Sequence, residues 1–596
     1  MSRSVVPQIE NHSLYQALNL FYNKELRKSL LPIFLPLFLF IFSPAQAQTP
    51  PPGQEPGAQI SRFLEELRQK REAIEKKKVK PPEIKLEEKK EKPAAEKLSF
   101  VLEGVNVSGA TLYKPEDFLP IYRAYLGKKI TFREIQAIVD KIKAKYKDKG
   151  YLTTTVFLPE QEIKDGIIQI RVIEGKMGAL KIEGNKWFSS GRIKKYFHSR
   201  KDKILNIKKL QKDLLRLNQN PDLEVKTVIM AGQEPETSDV VLKVTEEFPY
   251  HVGTGFDNQG SRLAGKYRTS FSLRSSNALG LFDSLSLNTI LSSRSFGESV
   301  SYLLPINSYG TKIGLDATHF KMKLGKEFKS FDITGSSKIY TPHILWEIFL
   351  TENFQANADC GMEIKSVKKK ADGELTVNER LRLPYLGLDF TKNNFFGGPV
   401  SFTPRFFYGL KNFLDGTGRN NRLASRSGAG GCPLNKYEQF IRRMQRMAFD
   451  TYLLIRSQFQ AASRSLPSSE LFQLGGANSI RGYPEGDYLA DIGGSLNLDW
   501  VFPMYLIPEN WKLAGADLPL RRQIEPVVFL DMGGGKLKKV LPGERQDKFL
   551  VGIGGGLRFS FKRNFSLRLE WARHLGDRPT GGSGPSTFHL TFQSEI

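Results

Sequence analysis

From about residue 250 to its C-terminus the chain alternates with a period of two, segment after segment. Tyr267, Thr269, Phe271 and Leu273 alternate with Arg268, Ser270, Ser272 and Arg274. Leu496, Leu498, Trp500 and Phe502 alternate with Asn497, Asp499 and Val501, and Phe565, Leu567, Leu569 and Trp571 with Ser566, Arg568, Glu570 and Ala572. Successive side chains of a strand point to opposite faces, so each segment is a strand with one apolar, aromatic face and one polar face. A soluble sandwich would bury the first face and show the second to water. Two features weigh against it. The strands have no matching helical layer, and charged residues recur on one face, as a water-filled lumen requires. Arg268, Arg274, Arg456, Arg558 and Arg568 all stand in the polar register. At about 20–25 residues per strand and connection, the region holds about 16 antiparallel strands of a transmembrane β-barrel.

The N-terminus carries an address. Lys24-Glu25-Leu26-Arg27-Lys28 leads into an apolar run over Leu30–Phe42, followed by Ala45-Gln46-Ala47. That is the layout of a secretory signal peptide cleaved after Ala47. The run is short for a bilayer span and contains Pro32 and Pro36. The stretch before Lys24 is long for an n-region, so a start downstream of Met1 is expected.

Residues 1–47 are therefore read as signal peptide and 48–97 as an N-terminal helix (61–78, with Ser61 as cap) plus a Pro-rich, mixed-charge linker (79–97). Residues 98–174 and 175–248 read as tandem α+β units. In the first, Ile135, Ile138, Val139, Ile142 and Tyr146 share one face of a helix ended by Gly150. Residues 249–596 are the barrel, with a long loop near 475–491. The basic, Gly-rich stretch 411–445 reads as another loop without an assigned function. Pairing of Cys360 with Cys432 is left open.

With 88 Lys+Arg against 63 Asp+Glu the formal net charge is +25. The basic residues form no compact stripe, so nucleic acid is not expected as a partner. No catalytic residue and no cofactor is expected. Gly533-Gly534-Gly535-Lys536 lacks the earlier Gly and following Ser/Thr of a P-loop. No G-x-S-x-G or H-E-x-x-H occurs, and the seven histidines form no metal cluster.

Several motifs carry a family resemblance. In the first unit they are Gly150-Tyr151-Leu152, Phe157-Leu158-Pro159-Glu160-Gln161, Asp165-Gly166 and Val172-Ile173-Glu174-Gly175. In the barrel they are Asp257-Asn258-Gln259-Gly260, the loop motif Ile480-Arg481-Gly482-Tyr483 and the strand motif Phe529-Leu530-Asp531-Met532-Gly533. The chain resembles the two-partner secretion transporters of the ShlB/FhaC/HecB type, within the BamA-like superfamily. The C-terminus departs from many such barrels, ending Gln593-Ser594-Glu595-Ile596 with Phe592 four residues back.

The resemblance implies a monomeric barrel in the bacterial outer membrane, two periplasmic POTRA domains and a lumen-plugging N-terminal helix. It implies transport of an unfolded exoprotein, a large β-helical adhesin or cytolysin. It also implies a loop carrying Arg481 that folds back into the lumen, where Asp531, in the inward register with Phe529, is the expected partner. An assembly factor of the BamA type and a passive porin-like barrel are the alternatives.

Overall fold

The computed structural model describes residues 52–75, 84–86, 99–516, 518–562, 564–580 and 584–596. The expected signal peptide and most of the expected linker lie outside them.

Sixteen antiparallel strands close into a barrel, each paired to its neighbours in sequence order. The first, Tyr250–Asp257, meets the last, Ser586–Glu595, from Gly253 opposite Glu595 to Asp257 opposite Thr591. The last strand therefore ends at Glu595, one residue from the C-terminus. Closure pairs the first and last strands and so removes the open sheet edges that an apolar surround does not tolerate. Phe271, Leu315, Trp346, Phe406, Trp500 and Trp571 are exposed on the outer face. Arg268, Lys365, Lys436, Asp499, Glu570 and His589 are buried on the inner one. No described helix is long and apolar enough to cross a membrane; the strands do so.

The strands Phe354–Ala371 and Glu374–Lys392 overrun the next one, Val400–Tyr408. The loop 409–434 folds against the overhang, where Asn378 N donates to Leu423 O at 2.8 Å and Ser425 N to Glu379 Oε1 at 2.8 Å. The expected loop 411–445 is thus two things, because Asn435–Arg446 is a barrel strand. Its Lys436, Glu438 and Phe440 stand on the wall rather than outside it. Cys360 and Cys432 are both free.

The first α+β unit packs the helix Phe132–Asp148 on a three-stranded sheet of Gly104–Ser108, Ile167–Ile173 and Thr155–Phe157. Glu134 accepts from Thr131 N at 2.6 Å and so caps the helix start. The five residues expected on the apolar face are all buried. In the second unit the helix Ile207–Leu217 covers a four-stranded sheet, ordered Ile84–Leu86, Leu223–Ala231, Thr237–Glu246, Lys176–Glu183.

The edge strand Ile84–Leu86 corrects the reading of 79–97 as linker alone. It pairs in parallel with the second unit, Ile84 opposite Thr227 and Leu86 opposite Ile229. Nothing in a short charged segment between prolines announces a strand, because the pairing energy resides in the edge it joins.

The two units repeat a device. Glu174 closes the first unit's last strand and accepts from Thr111 N (2.9 Å), Leu112 N (3.0 Å) and Tyr146 Oη (2.8 Å). Glu246 closes the second's and accepts from Lys186 N (2.9 Å) and Phe188 N (3.2 Å). The units are then joined through backbone, where Ile207 N donates to Gly150 O at 2.8 Å. A Cβ on Gly150 would meet Lys208 at 2.8 Å, and one on Gly175 would meet Thr153 at 2.6 Å.

The second unit is fixed to the barrel rim by polar contacts. Arg216 Nη2 reaches Glu347 at 2.8 Å, and Asp222 takes Ser276 Oγ at 2.6 Å with His251 Nε2 at 3.0 Å. These hold the unit at one end of the barrel, opposite the long loops.

Burial pushes the Glu174 carboxyl up, but the hydrogen bonds from Thr111, Leu112 and Tyr146 outweigh it and hold the group below its ordinary range. Its contribution to stability is therefore complete above the usual carboxylate pKa and is lost as pH falls through the lowered folded value. Glu174→Ala, which leaves buried donors unmet, should cost about 1–3 kcal/mol. Limited proteolysis should then cut the variant near residues 109–113 at neutral pH, and wild type only in acid; equal cutting of both at neutral pH would refute the role.

Candidate functional site

Two inserts fill the lumen: an N-terminal helix and the loop between the strands Tyr452–Ala462 and Ile492–Val501. The helix runs Pro56–Glu75, starting earlier than the expected 61–78. Pro56 occupies its first position, where a missing N–H is harmless. Ser61, expected as a cap, lies inside the helix, and its hydroxyl donates to Ser469 O of the loop. At about 1.5 Å per residue the helix is about 30 Å long, enough to traverse the barrel.

Among the helix side chains described, Arg62, Glu65, Glu66 and Arg68 each find an oppositely charged or polar partner. Arg62 lies 3.1 Å from Glu66 and 3.4 Å from Glu485, and Arg268 of the wall meets Glu66 at 3.1 Å. Gln458 Nε2 donates to Glu65 at 2.6 Å, and Arg68 stands 3.4 Å from Glu438. Just before the helix, Glu55 pairs with Lys369 at 2.9 Å. Ile60 and Phe63 pack on Ile290, Phe320 and Met322, inward-facing apolar residues of the wall. The Gly297 Cβ position would lie 3.2 Å from Phe63, so a larger residue there would push the helix off the wall. A cavity of about 130 Å³ remains between the helix and the wall, lined by Glu65, Arg68, Lys365 and Lys436.

The loop is held at several points. Glu470 sits between Lys365 (2.7 Å) and Lys436 (2.6 Å) of the wall. A short hairpin, Phe472–Leu474 with Tyr488–Ala490, brings its tip down. There the loop motif meets the strand motif residue by residue. Ile480 is buried, and a Cβ on Gly533 would stand 3.1 Å from it. Arg481 is fully buried; its Nε and Nη2 donate to Asp531 at 2.7 and 2.8 Å, its backbone N donates to the same carboxylate at 3.0 Å, and its guanidinium lies 3.5 Å above the Phe529 ring. Gly482 has φ 92°, and a Cβ there would meet the backbone of Arg573 at 2.8 Å. Tyr483 is buried beside His574, with ring centroids 5.4 Å apart.

Sequence reasoning named Asp531 but not the whole partner set. Arg481 also donates to Glu570 at 3.1 Å and to Asp499. Arg558 lies 2.7 Å from both Asp499 and Glu570, and Arg456 is 3.4 Å from Asp499. Asn497 Nδ2 supports Asp531 at 2.8 Å. The signal was present, since Asn497, Asp499 and Glu570 all stand in the inward register. What it lacked was the loop's depth. A buried guanidinium with a bidentate carboxylate and two further acids is fully compensated, whereas its removal leaves three buried acids facing fewer cations.

The first-unit motif lies elsewhere, away from the barrel lumen. Tyr151, Leu158 and Glu174 belong to that unit's packing and capping. Gln161 bonds both backbone groups of Gln169, at 2.6 and 2.8 Å, and so completes a sheet edge by side chain; its Nε2 also reaches Pro159 O at 3.3 Å. Asp165 and Gly166 make the tight turn before the strand Ile167–Ile173, with φ 54° and 68°. Glu160 is exposed.

Residues 236–559 match the family described as haemolysin secretion/activation protein ShlB/FhaC/HecB, and residues 100–175 match a POTRA domain of ShlB type. The chain is similar to a heme/hemopexin transporter protein, HuxB, of Haemophilus influenzae: 22% identical over 470 residues, covering 77% of this chain and 80% of that one. It is also similar to the outer membrane transporter CdiB of Escherichia coli, 23% identical over 426 residues and covering 69% and 70%. Among solved structures, CdiB from Escherichia coli superposes with a TM-score of 0.70 at 18% identity, over 93% of this chain and 100% of that one.

Arg481→Ala should leave the barrel folded, as read by heat-modifiable gel mobility, while freeing the loop at a cost of about 3–5 kcal/mol. Protease added from outside should then cleave residues 475–487 in the variant and spare wild type. Equal protection would count against the contact as the loop's anchor.

Proposed function

The chain belongs to the haemolysin secretion/activation protein family ShlB/FhaC/HecB, whose barrels lie in the outer membrane with their POTRA domains toward the periplasm, and on that premise we propose that it exports one unfolded partner exoprotein through its own barrel. The exoprotein is a large β-helical adhesin or cytolysin. The observation that carries this reading is that the lumen is filled by two inserts, a helix and a loop, that are not strands of the wall. The helix is held by ion pairs, hydrogen bonds and one apolar patch, and the loop by compensated charges and apolar packing.

Energy for passage comes from binding and folding of the client. The unfolded client first adds as a strand to a sheet edge of the two periplasmic units. Main-chain hydrogen bonds supply affinity there and tolerate varied sequence. The edge of Leu223–Ala231 is the supported place, because it already accepts an extended segment, Ile84–Leu86. A client binding there displaces the chain's own strand. That strand is joined to the lumen helix, so loading the edge and unplugging the barrel are coupled. Arg481 acts as a clamp that keeps the barrel closed until the client arrives.

Deletion of the exoprotein gene's neighbour encoding this chain should abolish surface display of the exoprotein, and Arg481→Ala should lower it at least about tenfold; undiminished display in the deletion strain would overturn the proposal. Ile84→Pro with Leu86→Pro, which removes edge-strand donors, should tighten binding of an unfolded client segment several-fold by fluorescence anisotropy. Unchanged affinity would place the client elsewhere. Removing residues 48–97 should raise single-channel conductance in planar bilayers, and the same conductance would exclude a plug.

A further inference from the structure

One patch of the outer wall departs from the apolar face around it. It lies on three adjacent strands, Lys312–Lys323, Thr334–Leu350 and Phe354–Ala371. Lys321 stands opposite Ser336, which stands opposite Lys368; one step further from the membrane, Lys323 stands opposite Thr334, and Thr334 opposite Lys370. The middle strand thus offers two short hydroxyl side chains as a floor, with a lysine on each side of both.

The outward direction of this register is fixed by its sequence neighbours. Met322 packs with Phe63 of the lumen helix, a Cβ on Gly335 would meet Pro56, and Lys369 pairs with Glu55 inside. All four lysines are exposed. Together with Arg294 and Phe296 they line a hollow of about 570 Å³. Lys323 has an acidic partner, Asp332. Among the described residues no carboxylate pairs with Lys321, Lys368 or Lys370. Strands about 4.8 Å apart hold the flanking lysines some 10 Å from one another, close enough for one anion-rich group to touch both sides.

What lies next to the patch selects the ligand. A row of Glu298, His319 and Lys338 follows toward the membrane, the first two paired at 3.0 Å. Beyond it the same outer face turns apolar, with Val300, Leu315, Tyr340 and Ile344 exposed. The patch is at the loop end of the barrel, opposite the periplasmic units, and so borders the outer leaflet. Lysine stems can lie along apolar wall while their ammonium groups stay at the headgroup level.

We propose that this trough binds the phosphorylated sugar headgroup of an outer-leaflet glycolipid, whose acyl chains lie along the apolar belt beneath it. The phosphates bridge lysines across the middle strand, and the Ser336 and Thr334 hydroxyls contact the sugar. Phosphate oxygens accept charge-assisted hydrogen bonds from ammonium groups, and basic pockets at this depth hold anionic headgroups. Binding is independent of the lumen, the loop clamp and the exported client.

The test is native mass spectrometry of the full mature chain in detergent, titrated with bisphosphorylated lipid A. Wild type should retain one lipid A, and a variant with Lys321, Lys323, Lys368 and Lys370 all changed to Gln should bind it at least about tenfold more weakly. The corresponding Lys→Arg variant should bind as wild type does. Lipid A stripped of both phosphates should bind wild type as weakly as bisphosphorylated lipid A binds the Gln variant. Equal retention by wild type and Gln variant would overturn the site, as would equal retention of the stripped lipid. Preference for phosphatidylglycerol over lipid A would overturn the glycolipid assignment, and displacement by millimolar inorganic phosphate alone would make the ligand free phosphate. If the fourfold variant loses heat-modifiable mobility, Lys321→Gln and Lys368→Gln are read singly, each expected to weaken binding about threefold.

Discussion

A guanidinium with no access to water must be surrounded by acceptors, and the upper half of this molecule is arranged around one. Arg481 brings a loop down from the rim because only the wall supplies the acids it needs. Asp499, Asp531 and Glu570 come from three separate strands, and Arg558 and Arg456 keep their charge in balance. The loop, the hairpin within it and the apolar core above the helix follow from that insertion. Leu466, Leu474, Ile480 and Tyr488 would otherwise face water, and instead they pack with Leu383 and Phe407 of the wall. The small residues beside the arginine are as necessary as the charges. Gly482, Gly533 and Gly552 let loop and wall approach at backbone distance, and a Cβ on Gly552 would run into the Arg481 carbonyl.

Much of this was legible in the sequence, and the division between legible and hidden has physical causes. A period-two pattern reports the inward register directly, so the barrel and the inward direction of Asp531 follow from it, and the length of the region gave the strand number. The amphipathic helix of the first unit was equally clear, since its five apolar residues repeat at helical spacing. The lumen helix was found, but it starts five residues earlier than expected. Ser61 looks like a cap by local rule, yet its hydroxyl serves the loop, while Pro56 starts the helix. The strand Ile84–Leu86 was missed because its hydrogen-bonding partner is the second unit's sheet edge, more than a hundred residues away. Glu570 and Asp499 were seen as polar wall residues, without the loop that makes them a set. The loop near 411–445 was drawn too long because its last part is as charged as the rest, although a strand facing a polar lumen carries charges such as Lys436, Glu438 and Arg442 as readily as a loop does.

The two faces of the wall solve opposite problems. Inside, charges are tolerated because they are paired; the helix and the wall exchange Arg62, Glu66, Arg268, Arg68 and Glu438 across a narrow gap. Outside, the wall is largely apolar, and near the loop-end rim lysines return in the register that points away from the lumen. Alternation along one strand, Lys368 out, Lys369 in and Lys370 out, places neighbouring residues in different media, lipid boundary and pore.

The joint between helix and edge strand has a geometric consequence. Glu75 ends the lumen helix and Ile84 begins the paired segment, and the chain between them can span at most about 30 Å when fully extended. Barrel and sheet edge are thus connected by a leash of fixed reach. A helix that slides within that reach leaves the edge strand seated. One that travels further peels the strand from the sheet, and a strand that is peeled first gives the helix slack. Chain length alone therefore limits how far the helix can move while the strand stays seated.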